Sequence, residues 1–125
     1  MRIGFDAKRA FLNTSGLGNY SRNTLNALLK YFPRNKYTLF TPEIKKKLFP
    51  NYADFDVISP DSSLSKIFKS LWRSFSVSGQ LQKHELDLFH GLSNELPDGI
   101  HKTDVPSVVT IHDLIFMRFP QFYKT

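Results

Sequence analysis

The chain has 125 residues, no cysteine and a formal net charge of +6. That length argues for one domain with its own core and against two full domains, and the missing cysteines exclude disulfides, thiolate metal sites and a cysteine nucleophile. With 12 Phe, 5 Tyr and one Trp the chain is not a disordered tail, no apolar run reaches the length of a membrane-spanning helix, and the start carries no signal-peptide pattern.

Charge is spread unevenly. Residues 1–84 hold 14 Lys and Arg against 5 Asp and Glu, whereas residues 85–125 hold 3 against 6. The basic part suits an anionic partner such as phosphate, nucleic acid or a membrane surface, or no partner beyond water.

Residues 1–6 (MRIGFD) read as a short buried strand. Asn13, Thr14, Ser15 and Gly16 follow as loop and helix-cap residues within 7–16. Leu17, Tyr20, Leu25, Leu28, Leu29 and Phe32 recur at spacings of three to four, which predicts an amphipathic helix over 17–31. Pro33 and Asn35 end it. Residues 36–41 read as a second strand and 55–59 as a third, with a basic polar stretch between them. A second helix is expected over 64–84, with Gly79 as a candidate interruption, then short strands over 87–90 and 106–111. The tail 112–125 is apolar and aromatic without a clean period.

Strands alternating with helices imply crossover connections and an α/β, mostly parallel, doubly wound sheet, with the order 3-2-1-4-5. Such sheets take ligands beyond the carboxyl ends of their strands. Three polar groups fall there. Gly16-Leu17-Gly18 opens the first helix, where glycines let backbone N–H groups approach an anion; a turn and helix cap would use the same residues. It is not a dinucleotide fingerprint, because Ser21 holds the third glycine position and the loop starts well after Asp6. His112-Asp113 ends the clearest strand, where an imidazole could bond a hydroxyl or move a proton. His90-Gly91, followed by Ser93, Asn94 and Glu95, could line a cleft. Each of the last two has an ordinary structural reading; their coincidence at one sheet edge favours a site. Asp54-Phe55-Asp56 has metal-binding spacing but precedes its strand, so it belongs to the opposite edge. The helix over 64–84 mixes Lys66, Lys69 and Arg73 with Phe68, Leu71, Trp72 and Phe75, the pattern either of a helix on an anionic bilayer or of one packed on the sheet.

In order and spacing, MRIGFDAKRAF, SGLGNYSRNTL, DLFHGLSNELP and VVTIHDLIFMRFPQFY resemble the N-terminal part of family-4 glycosyltransferases, the retaining, nucleotide-sugar-dependent enzymes of the GT-B fold, with the bacterial mannosyltransferase-like group nearest in flavour. The resemblance spans residues 1–125 and is weakest over 42–85. It implies an N-terminal, acceptor-side Rossmann-like domain, incomplete at this length, of an enzyme whose second domain holds most of the nucleotide; the 125 residues alone are then expected to be inactive. Gly16, Leu17 and Gly18 match the family's glycine-rich loop at the donor diphosphate and acceptor. His112 matches its histidine at the donor sugar, the expected catalytic residue. His90, Gly91 and Asn94 match the acceptor-side loop, with Asp113 a further candidate. The implied partners are a nucleotide-diphosphate-sugar donor and a glycan or lipid-linked acceptor, not nucleic acid, with no cofactor and no metal. The implied location is cytoplasmic, with a candidate peripheral contact at the inner face of the membrane through residues 64–84.

Two other classes compete. One is another nucleotide-binding enzyme domain of Rossmann-like fold, such as part of an NAD-dependent dehydrogenase. The other is a non-catalytic basic module for anionic lipid or nucleic acid, which salt-dependent binding would reveal.

Overall fold

The computed structural model describes residues 1–60 and 77–122. In chain order it contains β1 (Arg2–Asp6), α1 (Lys8–Leu12), α2 (Gly16–Tyr31), β2 (Lys36–Phe40), β3 (Asp56–Ile58), α3 (Val77–Lys83), β4 (Leu88–Gly91), β5 (Ser107–Val109) and α4 (Ile115–Arg118). Short 3-10 turns occupy Pro50–Asp54, Ile100–Lys102 and Pro120–Phe122.

The strands form one five-stranded sheet in the order β3-β2-β1-β4-β5, and every pairing in it is parallel. This is the expected Rossmann-like α/β architecture. Parallel neighbours need a crossover between them; α1 and α2 provide it between β1 and β2, whereas the connections from β2 to β3 and from β4 to β5 contain only 3-10 turns. Side chains alternate across the strands, so the sheet feeds two cores. On one face Phe5, Tyr37 and Leu39 meet Ala10 and Phe11 of α1 and Leu25 of α2. On the other, Phe40 and Phe89 meet Leu81 of α3 and Leu86. Gly4 lies where a Cβ would stand 2.5 Å from the Leu86 side chain and 3.1 Å from that of Phe40, so its missing side chain is what lets Leu86 pack there.

Four details differ from the sequence reading. Residues 7–16 are not all loop, because α1 occupies half of them. A helix this short is not held by propensity; Phe11 is fully buried and packs edge-on to Phe49 and Tyr52, with ring centroids 5.4 and 5.9 Å away. The fifth strand, expected over 106–111, is assigned only over Ser107–Val109, although the Thr110 N–H still donates to the Gly91 carbonyl at 2.9 Å. Most of the expected helix 64–84, with the basic and apolar residues Lys66, Phe68, Lys69, Leu71, Trp72, Arg73 and Phe75, lies outside the described residues. The part within them is continuous through Gly79, where a Cβ would meet open space. In the tail, α4 forms after Leu114, and Ile111, Leu114, Phe116 and Met117 are exposed.

Candidate functional site at the carboxyl edge

Because the sheet is wholly parallel, β1, β4 and β5 all deliver their last residues to the same edge. Asp6 pairs with Gly91, and Gly91 with Val109. The segments 92–94 and 110–112 therefore leave the sheet side by side, next to the start of α2.

The entry to α2 is built by Asn13. Its Oδ1 accepts from the Ser15 N–H at 2.8 Å, the Ser15 hydroxyl at 2.7 Å and the Gly18 N–H at 3.1 Å. A helix starts with four N–H groups that have no partner within it, and here the cap from outside the helix satisfies the first and the fourth. Gly18, expected from the sequence to face an anion together with Gly16 and Leu17, donates its amide instead to Asn13. It is glycine for space: a Cβ would lie 1.9 Å from the Asn13 carbonyl oxygen. The amides of Gly16 and Leu17 are the two that the cap leaves open. Arg22, one turn further on, donates to the carbonyls of Ala10 and Asn13, both at 2.9 Å, and fixes the loop from behind.

Tyr20 joins this loop to the strand ends. Its ring stands edge-on to His112, with centroids 4.7 Å apart and an interplanar angle of 86°. Its hydroxyl lies 3.2 Å from the Thr110 hydroxyl, which in turn is 2.8 Å from Nε2 of His90. Burial holds the His90 pKa below the ordinary value of 6.5, which favours the neutral ring. The His112 Nε2 lies 2.8 Å from the Leu92 carbonyl oxygen, and its backbone N–H donates to Oδ1 of Asn94 at 2.8 Å. Asn94 adopts a left-handed backbone, φ 61°, which asparagine tolerates better than most residues, and its own N–H donates to the Thr110 carbonyl at 2.8 Å.

The structure therefore gathers Gly16, Leu17, His90, Asn94 and His112 around one edge. Gly91 is buried within β4, where a Cβ would lie 2.1 Å from the Glu95 carbonyl oxygen; it permits the sharp return of the 92–95 loop. Asp113 uses Oδ1 to accept from the Ile115 N–H at 3.1 Å, a turn at the start of α4. Asn13, Tyr20 and Thr110 were missed. Tyr20 read as one more apolar position of the helix, and Thr110 as one more strand residue. The available signal was Thr110 two positions before His112, since alternate residues of an extended segment share a face. Asp54, just before β3, and Asp56, its first residue, lie at the opposite edge.

Among the described residues no group of three or more His, Cys, Asp or Glu side chains could hold a metal ion, and no helix is long and apolar enough to cross a membrane. Comparison of the chain with protein-family models, with curated proteins and with solved structures finds no match.

Proposed function

We propose that the chain is the acceptor-side domain of a retaining glycosyltransferase that moves a mannose-like hexose from a nucleotide-diphosphate-sugar to a glycan or lipid-linked acceptor. The observation that carries the reading is Tyr20, one turn into α2, whose ring stands against His112 and whose hydroxyl meets Thr110. An anion-suited helix start and a polar ring thereby share one rigid edge. The rest of the support is the ordered set of sequence motifs described above.

On this reading the work of the chain is electrostatic. The Gly16 and Leu17 amides and the positive end of α2 face the leaving diphosphate. The His112 ring bonds a hydroxyl of the donor sugar and orients it at the reacting carbon. The residues from His90 to Asn94 line the acceptor side. Because the nucleotide is held mainly by the second domain of such enzymes, these residues alone are expected to bind donor weakly and transfer nothing.

The test is an amide NMR titration of the chain with GDP-mannose, UDP-glucose and NAD at millimolar concentration. Shifts centred on Gly16, Leu17, Asn94 and His112 with either nucleotide-sugar support the reading. The same shifts with NAD alone, or salt-sensitive binding to anionic vesicles or RNA without a nucleotide-sugar response, would overturn it in favour of the competing classes. In the intact transferase, His112→Ala is expected to lower turnover by roughly thirty- to a thousand-fold, the value of one transition-state hydrogen bond. A near-normal rate in folded protein removes the residue from the site.

A further inference from the structure

His90 and His112 both offer Nε2 to an oxygen, but the two oxygens differ in what they permit. The partner of His90 is the Thr110 hydroxyl, which can donate or accept, so either tautomer of that ring is satisfied. The partner of His112 is the Leu92 carbonyl oxygen, 2.8 Å away, which can only accept. The proton of the neutral ring must therefore sit on Nε2, and the lone pair on Nδ1. No described buried side-chain nitrogen or oxygen lacks a partner, and Nδ1 of His112 has none within the described protein. It therefore meets solvent.

The ring is also held in place. Leu92 is fully buried. The backbone of His112 is tied to Asn94, which is tied to Thr110. The Tyr20 ring closes one side of the imidazole, and its hydroxyl is anchored on Thr110. Turning the imidazole over would break the Leu92 bond and place a carbon against a buried carbonyl oxygen, which costs more than the bond itself is worth.

We infer that His112 is locked as the Nε2–H tautomer and presents Nδ1 as an acceptor, so that the neutral ring recognises a ligand hydroxyl that donates to it. Asn94 and Tyr20 are the positioning residues of this lock. That the ligand hydroxyl belongs to a nucleotide-sugar rests on the function proposed above; the lock itself does not.

Nitrogen NMR of the histidine-labelled chain in alkaline buffer reads the lock directly. The expected pattern is a protonated Nε2 and a bare Nδ1 for His112, assigned by its loss in His112→Gln, with an averaged or opposite pattern overturning the inference. Two variants then separate the atoms. His112→Asn keeps an acceptor near the place of Nδ1, whereas His112→Gln can keep a donor toward the Leu92 carbonyl. Titrated with GDP-mannose and UDP-glucose, Asn should retain more affinity than Gln, by up to roughly tenfold. Thermal melting should rank them the other way. Equal affinities with the expected tautomer would overturn the acceptor role. A normal tautomer pattern with no response of the unmodified chain to either nucleotide-sugar would sink the glycosyl function and the ligand class with it, while the lock would stand.

Discussion

Around His112, at the carboxyl edge of the sheet, the groups that bond one another are two imidazoles, two hydroxyls, an asparagine amide and the backbone. The amino edge is assembled from charges. Arg2 pairs with Glu85 and its backbone donates to Asp87 at 2.7 Å, the Met1 ammonium donates to Asn35 at 3.1 Å, and Lys36, Lys83, Asp54 and Asp56 stand nearby. Two hollows of about 520 and 510 Å³ open at this amino edge, and neither touches the residues gathered around His112. Both hollows are lined by charged residues of both signs, whereas the residues gathered around His112 lie where parallel strands converge. Volume by itself is a poor guide to a site in a doubly wound sheet, whose strand direction carries the information.

If that contrast is right, the carboxyl edge should be intolerant of small changes and the amino edge indifferent to larger ones. The greatest effect is expected from Gly18→Ala, because the atom a methyl would strike belongs to the backbone of Asn13 and cannot rotate away. The expected loss is roughly 2–3 kcal/mol, seen as a fall in Tm of roughly 8–15 °C. Gly16→Ala is the control, since nothing lies within 4 Å of its added carbon; it should be neutral or slightly stabilising. Equal melting of the two variants would show that the Asn13 cap is not rigid.

Tyr20→Phe comes next. It retains the ring beside His112 and loses the bond to Thr110, at an expected cost of about 1 kcal/mol in urea unfolding. The His112 ring signals should broaden or shift in this variant. If they are unaltered, the hydroxyl does not hold the two strand ends to α2.

A smaller effect should appear with pH. The His90 pKa is lowered in the folded chain by burial, so the unfolded chain takes up a proton first as pH falls below about 6.5. The stability that the neutral ring contributes is complete above that pH and is lost progressively toward the lower folded value. His90→Asn should flatten this part of the urea-midpoint profile between pH 7.5 and 5.5. An identical slope in the two proteins would mean that other groups carry it.

The least is expected from Glu85→Gln at the amino edge. The Glu85 side chain is 77 % exposed, and such pairs contribute from about 0 to 1 kcal/mol. A change in the midpoint worth more than that would make the amino edge a structural centre and erase the contrast between the edges.

The strand order and the edge that carries the polar residues could be read from the sequence, because alternating strand and helix patterns leave few ways to connect a parallel sheet. His112, Asn94 and Gly16 could be placed there on topology alone. What could not be read was how they bond. Asn13 looks like any loop asparagine, and its threefold acceptance depends on α1 turning it back over α2. α1 in turn depends on Phe11 finding Phe49 and Tyr52, about forty residues away in sequence. Tyr20 was hidden because a tyrosine suits an apolar helix face as well as a hydrogen-bond network. Local pattern reports the elements, and long-range packing decides which polar atoms remain free.

The position of β1 also sets an order of events in time. Its register with β2 joins Arg2 to Lys36, whereas its register with β4 joins Ile3 to Leu88. Closing the longer loop costs only about 0.8 kcal/mol more in chain entropy, but a ribosome adding roughly 5–20 residues per second delivers β4 several seconds after β2. During that interval one flank of the central strand has no partner. A nascent chain in that state exposes Phe40, whose core partners Leu81, Leu86 and Phe89 are still to come, and an unpaired edge, so the interval before residue 88 emerges is when it is most open to chaperones and to misassembly.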